Sequence, residues 1–269
     1  MRLTFLGTGT SHGIPVIGCA CAVCKSENQK NKRTRASVWI ESGTASIVID
    51  TATEFRLQAV REGINKVDCV FLTHSHADHI HGIDDLRPLS RYKPIPVYGN
   101  PVTISDVKKR FSYINNDAGG GGGKPRLEFY EIKDIELTVQ AEPADCNPGH
   151  GSSTNTENKI IIRPVKIKHG KVDILGYRVG NLAYLTDCSF IPPESFEALE
   201  GVEILIIDAL RYKPHPTHFS VDQALEMIEK TGCREAWLTH MCHNIEHEAL
   251  EKELPFHVRP AWDGLKINF

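Results

Sequence analysis

The chain has 269 residues, 41% hydrophobic and 24% charged, with 31 Lys and Arg against 34 Asp and Glu for a formal charge of −3. That composition excludes a disordered chain and supports a sizeable buried core, and the charge balance excludes a protein that binds nucleic acid through bulk basicity. No run approaches the roughly 18 consecutive apolar residues of a membrane helix, and Met1 to Leu6 is too short for the apolar region of a signal peptide, so a cytoplasmic location and no membrane partner are expected.

The first strand pattern, Arg2 to Leu6, runs into Gly7-Thr8-Gly9. A loop over residues 18–25 follows, in which Cys19-Ala20-Cys21-Ala22-Val23-Cys24 puts three thiols within six residues. A reducing compartment disfavours disulfides, so a cluster this tight points to metal. Thiolates suit a closed structural zinc site of four ligands. The fourth comes from afar, and spacing alone does not choose between Cys242 and His243. Strand patterns continue at Ser37 to Glu41 and Ser46 to Ile49, then a helical pattern at Glu54 to Glu62. Asp50, which ends the second of these strands, reads as structural.

The apolar run Val67 to Thr73 leads into His74-Ser75-His76-Ala77-Asp78-His79, four potential metal ligands in six residues. In a turn leaving a strand, His74 and His76 converge on one ion and Asp78 and His79 reach a second beside it. Imidazole with carboxylate suits Zn, Mn or Fe. Arg87 and Arg91 come next as candidate phosphate contacts. A strand at Pro96 to Tyr98 and a helix at Thr103 to Phe111 precede the segment 115–124, which holds Gly119 to Gly123. That run lacks P-loop spacing and reads as a flexible surface segment, with a lid role open.

In the second half, Ile160 to Lys168 ends at His169, Leu182 to Thr186 at Asp187, Val202 to Ile207 at Asp208 and Glu235 to Thr239 at His240, with a further strand at Gly176 to Val179. Singly, a His or Asp after a strand is an ordinary turn or cap residue. Together with the 74–79 run, they supply what two coordination shells need, at strand ends, where α/β sheets gather ligands. Asp208 is placed to orient a ligand His. A Pro-rich loop with His215 and His218 precedes the clearest helix, Ser220 to Lys230, which has Ser220 as N-cap, Gln223 three residues on and Gly232 past its end. Lys266 to Phe269 closes the series. Strands and helices alternate without a linker, so one α/β unit over residues 1–269 is expected.

The H-x-H-x-D-H run, with later His, Asp and His each ending a strand, resembles the metallo-β-lactamase-fold hydrolases over nearly the whole chain. The resemblance implies an αββα sandwich, two mixed sheets back to back with helices outside. It implies one divalent metal held by His74, His76 and His169, a second by Asp78, His79 and His240, and Asp187 bridging both. The C-x-C-x-x-C loop with T-H-x-x-H far downstream is similar to the PhnP phosphodiesterases. That match implies His243 as the fourth ligand of a structural zinc with Cys19, Cys21 and Cys24, and a His matching His218 that contacts phosphate or assists the leaving group. Asp78 and His218 are then the catalytic candidates, with His215 and Arg87 as lesser substrate contacts. The expected activity is that of a dinuclear phosphodiesterase acting on a small phosphodiester, a cyclic phosphoribosyl compound or cyclic nucleotide, with nucleic acid not expected and a homodimer allowed. Two alternatives are an RNase Z-like tRNA 3′ nuclease and a PqqB-like accessory protein without catalysis. Only 17 residues separate His169 from Asp187, which leaves no room for the long basic arm usual in RNase Z.

Overall fold

The strand β11 (Ile204–Asp208) shows why the molecule is layered: Ile204 and Ile206 face one side, Leu205 and Ile207 the other, and all four are at most 1% exposed. A strand apolar on both faces requires a layer on each. The computed structural model describes residues 1–115, 123–133, 136–140 and 159–269. Most of the expected glycine-rich segment, 116–122, lies outside the described residues.

In chain order the strands are β1 (Arg2–Gly7), β2 (Ser37–Ser42), β3 (Ala45–Ile49), β4 (Cys69–Phe71), β5 (Ile95–Gly99), β6 (Leu127–Glu131), β7 (Leu137–Gln140), β8 (Lys159–His169), β9 (Val172–Val179), β10 (Leu182–Leu185), β11, β12 (Glu235–Thr239), β13 (Val258–Pro260) and β14 (Lys266–Asn268). The helices are α1 (Ala22–Lys25), α2 (Phe55–Glu62), α3 (Ala77–Ile80), α4 (Pro101–Arg110), α5 (Ser112–Asn115), α6 (Phe196–Leu199), α7 (Val221–Thr231) and α8 (His247–Glu253). The strands form two seven-stranded sheets, β14-β1-β2-β3-β4-β5-β6 and β13-β12-β11-β10-β9-β8-β7. Both are mixed: β14 to β3 and β7 to β10 pair antiparallel, β3 to β6 and β10 to β13 parallel.

One core lies between the sheets, where Phe5, Ile40, Ile47 and Phe71 meet Ile162, Tyr177, Tyr184 and Ile206. A second packs Val48, Val70 and Val97 under Phe55 of α2 and Val107 of α4. A third packs Leu205, Ile207 and Leu238 under Ala224 and Ile228 of α7 and Leu250 of α8. The four layers are the αββα sandwich expected. The capping box of α7 is present, with Ser220 Oγ accepting from Gln223 N and Gln223 Oε1 from Ser220 N, and Gly232 ends the helix at φ 64°.

Three strands escaped the sequence reading. β6 and β7 lie at sheet edges, where β6 buries little, and β13 is only three residues long. The expected strand Val67 to Thr73 narrows to β4, since Leu72 and Thr73 already turn toward the histidine run. Two bonds hold that exit against the opposite sheet: Tyr177 donates its hydroxyl to Leu72 O at 2.7 Å, and Leu175 N donates to Thr73 O at 3.1 Å. No helix among the described residues is long and apolar enough to cross a membrane.

Ile206 is fully buried between the sheets. Ile206→Ala should destabilise by about 3 kcal/mol, read as a lower urea midpoint with an unchanged slope.

Candidate metal centre

The ends of β3, β4, β8, β10, β11 and β12 bring Asp50, the 74–79 run, His169, Asp187, Asp208 and His240 to one edge of the sandwich. Asp50, Asp187 and His240 are the non-glycine residues with positive φ among those described, at 63°, 55° and 58°. Such left-handed residues cost energy and persist only where surroundings enforce them, which marks a functional edge.

Two groups of donor atoms lie there, each within 4.8 Å of one another: His74, His76 and His169; and Asp78, His79, Asp187 and His240. The second group is wholly buried. Asp187 Oδ2 lies 3.0 Å from His79 Nε2 and 3.2 Å from His240 Nε2, and Asp78 Oδ2 lies 3.3 Å from His79 Nε2. None of these nitrogens has a hydrogen-bond partner despite the short distances, and neither has His74 Nε2. Buried polar atoms are ordinarily satisfied. Orphaned imidazole nitrogens aimed with carboxylates at a common point are the pattern of a cation site, so the residues fit divalent ions.

Hydrogen bonds behind the donors set which nitrogen faces the site. His79 Nδ1 donates to Asp50 Oδ2 at 2.6 Å. Thr73 spends its hydroxyl proton on Asp50 Oδ2 at 2.8 Å, so His74 Nδ1 must donate to Thr73 Oγ1 at 3.0 Å. His169 Nδ1 donates to Thr217 O at 2.8 Å. In all three the proton stands on Nδ1 and Nε2 faces the cluster, as outer bonds do for ligand histidines. Asp208 serves two rings, accepting from His218 Nδ1 at 3.0 Å and lying 3.5 Å from His240 Nδ1. Asp50, read from the sequence as structural, is therefore a positioning group. Its place after a strand was the available signal.

Electrostatics follow the same geometry. Burial, with help from His79, holds His74 well below its ordinary pKa. Burial also acts to lower His240, but Asp187, Asp208 and Asp78 outweigh it and raise the ring to about 10. His79 is likewise raised against burial by Asp187, Asp78 and Asp50. Asp78 stays well below the carboxylate range because His79 and His240 overcome its burial.

The expected zinc loop also closes. Sγ of Cys19, Cys21 and Cys24 lie 3.2, 3.7 and 3.7 Å from His243 Nδ1. The amide of Cys24 is the largest influence lowering the Cys21 thiol to about 6. Cys242, the other candidate, turns its thiol to Asn244 Oδ1 at 3.2 Å.

The lesser candidates divide. His218 lies parallel to His240 with ring centroids 4.8 Å apart and edge-on to His169 at 4.7 Å. His215 stands 5.2 Å from His218, its Nδ1 accepting from Thr217 N at 3.3 Å. Arg87 follows the 3-10 turn His81–Leu86. Its Nη1 donates to Gly123 O at 2.8 Å, and it lines a cavity of about 480 Å³ with Ser90, Arg91, Lys124 and Arg126 that includes no cluster residue. The geometry does not favour Arg87 as a contact at the metal edge.

Residues 45–241 match the family model described as β-lactamase superfamily domain. A crystal structure of a diphosphatase from the PhnP family is 38% identical, covering 100% of this chain and 97% of that one at a TM-score of 0.87. Among curated proteins, an octanoyltransferase of Porphyromonas gingivalis is 36% identical over 99% of this chain, which spans only 51% of that relative's length. A ribonuclease Z of Methanopyrus kandleri is 24% identical over 88% of this chain and 92% of its own.

Two outcomes are expected. Histidines raised by carboxylates hold protons in the metal-free protein, and an ion must displace them. Divalent-ion binding should thus release protons and tighten as pH rises toward about 10, the value for His240, measured by calorimetry in buffers of different ionisation heat. Asp50→Asn should weaken ion binding about tenfold by loosening His79, read by competition with a chelator.

Proposed function

The chain belongs to the β-lactamase superfamily and, within it, to the PhnP family, and from that premise we propose that it is a metal-dependent phosphodiesterase acting on a small, cyclic phosphodiester. Residues 1–269 act as one catalytic unit in a reducing cytoplasm, where the Cys19–Cys21–Cys24 loop stays reduced. The observation that carries the reading is the buried convergence of Asp78, His79, Asp187 and His240 beside His74, His76 and His169. His74, His76 and His169 would hold one divalent ion, Asp78, His79 and His240 a second, and Asp187 both; Cys19, Cys21, Cys24 and His243 would hold a structural zinc. When bound, such ions supply a water acidic enough to attack near neutral pH and positive charge for phosphoryl oxygens.

The chain's own groups do the rest. Asp50, Thr73 and the Thr217 carbonyl hold the imidazoles with Nε2 inward. Asp78, whose carboxyl lies well below the usual carboxylate range in the ion-free site, would accept a hydrogen bond from the attacking water and then its proton. As the water oxygen bonds to phosphorus and the ester oxygen departs, His218 Nε2 gives that oxygen a proton. Asp208 keeps the His218 ring in place through Nδ1. His215, on the same loop, contacts the phosphate.

The ribonuclease Z reading draws on the kinship just described. Against it, β9 and β10 fill the interval between His169 and Asp187, so no arm emerges there. The PqqB-like reading is disfavoured by a complete, oriented donor set.

Metal-replete protein should hydrolyse bis(p-nitrophenyl) phosphate and a cyclic phosphodiester but not trim pre-tRNA; robust tRNA trimming, or no phosphodiester hydrolysis, would reverse the assignment. His218→Ala should lower kcat by about a hundredfold or more on a substrate with an alkoxide leaving group, and far less with p-nitrophenolate, which leaves without a proton.

A further inference from the structure

Asn31 and Arg33 have no part in the chemistry above, yet both are buried, at 0% and 1% exposed. None of Arg33's hydrogen bonds goes to a carboxylate. Nη1 donates to the carbonyls of Ile245 at 3.0 Å and Cys242 at 3.4 Å, Nη2 donates to Asn31 Oδ1 at 3.3 Å, and Nε has no partner among the described residues. Burial lowers its pKa to about 10, so the group remains a cation at neutral pH. A buried cation whose hydrogen bonds reach only carbonyl oxygens, with Asp263 and Glu246 acting on it from farther off, is a costly way to fill space, and an apolar side chain of similar volume would serve packing as well.

Asn31 extends the grip, its Oδ1 accepting from His247 N at 2.9 Å and its Nδ2 donating to Glu246 Oε1 at 2.6 Å. The Arg33 backbone pairs both ways with Ile14, at 2.8 and 2.9 Å, and Ile14 packs with Val23 and Cys24 of the cysteine loop. A Cβ on Gly9 would stand 2.8 Å from the Arg33 carbonyl, so the exit of β1 presses on the same residue. One short segment thus touches the cysteine loop, the first strand and the turn 242–247. That turn begins two residues after His240 and contains His243.

We propose that Arg33 and Asn31 are positioning residues that clamp the 242–247 turn, so that the buried Asp78–His79–Asp187–His240 cluster depends on this clamp, separately from the thiolate site, for the placement of His240. The proposal rests on the reading that His240 faces a divalent ion. The dependence is asymmetric for a physical reason. His240 sits at φ 58°, a strained conformation that its neighbours must enforce. His243 Nδ1 instead faces three thiol sulfurs at 3.2, 3.7 and 3.7 Å, and a shared zinc would hold it to them as the turn moves. Without the guanidinium, the carbonyl of Ile245 loses its buried donor and that of Cys242 keeps only the amide of Ile245 at 3.2 Å, so the turn relaxes.

The test is cobalt loading of wild type, Arg33→Met and Arg33→Lys. A sulfur-to-cobalt charge-transfer band reports the thiolate site, and metal analysis after dialysis against a graded chelator counts the remaining ions. Both variants should keep the sulfur band and its one ion, and release the other ions at about tenfold lower chelator. Their kcat should fall while KM stays within about twofold. Lys retains the charge but not the second nitrogen that ties Asn31 Oδ1 to the turn, so it should fail in the same direction. Should Arg33→Met not fold, Arg33→Lys and Asn31→Ser carry the same readouts. Variants that hold all ions as tightly as wild type, or that lose both kinds of ion in parallel, overturn the clamp alone. Wild type that takes up cobalt only at the thiolate site overturns the functional reading and the clamp with it.

Discussion

At the buried edge of the sandwich, one carboxylate oxygen of Asp187 stands near 3 Å from two imidazole nitrogens, with Asp78 close by. Carboxylates and imidazoles this dense can share a dry site only when positive charge lies among them. Protons on His79 and His240 are one way to supply it, and divalent ions are the other. Raised histidines and depressed carboxylates are the electrostatic imprint of that demand. The site is therefore poised to exchange protons for metal, and its outer bonds keep Nε2 of His74, His79 and His169 turned inward in readiness.

The sandwich meets this constraint through its strand ends. Each sheet carries a parallel half, so the exits of β3 and β4 in one sheet and of β10, β11 and β12 in the other share an edge. At three exits the chain takes a left-handed residue that bears a working side chain, Asp50, Asp187 and His240. Each such residue costs about 1 kcal/mol or more, and the inter-sheet core offsets it. Tyr177 and Leu175 reach from one sheet to the exit of β4 in the other, which registers the histidine run against its distant partners.

Asp208 joins two tasks that are usually described apart. It holds His218, the proposed proton donor, and lies beside His240, a proposed metal ligand, so the two rings stack at 4.8 Å as a unit. On the far side of His240, Arg33 and Asn31 grip the turn that follows.

The sequence by itself was enough for the donor inventory and the inner strands. The runs H-x-H-x-D-H and C-x-C-x-x-C are local and dense, and strands such as β3, β10 and β11 are near-continuous apolar runs that read the same in any context. The helix after Ser220 announced itself through its caps for the same reason. Edge strands β6 and β7 carry no such signal, because one-sided burial leaves no strong pattern. Spacing left Cys242 and His243 open and a resemblance implied His243, which the tertiary structure turns to the thiols; the tertiary structure alone gave Asp50 to His79 and the Arg87 guanidinium to Gly123 O. These are choices between neighbours or between side chains of equal chemistry. Cys19 and His243 are 224 positions apart, and no local periodicity encodes a meeting across that span; it is settled when two sheets, packed by their apolar faces, bring their strand ends to one edge.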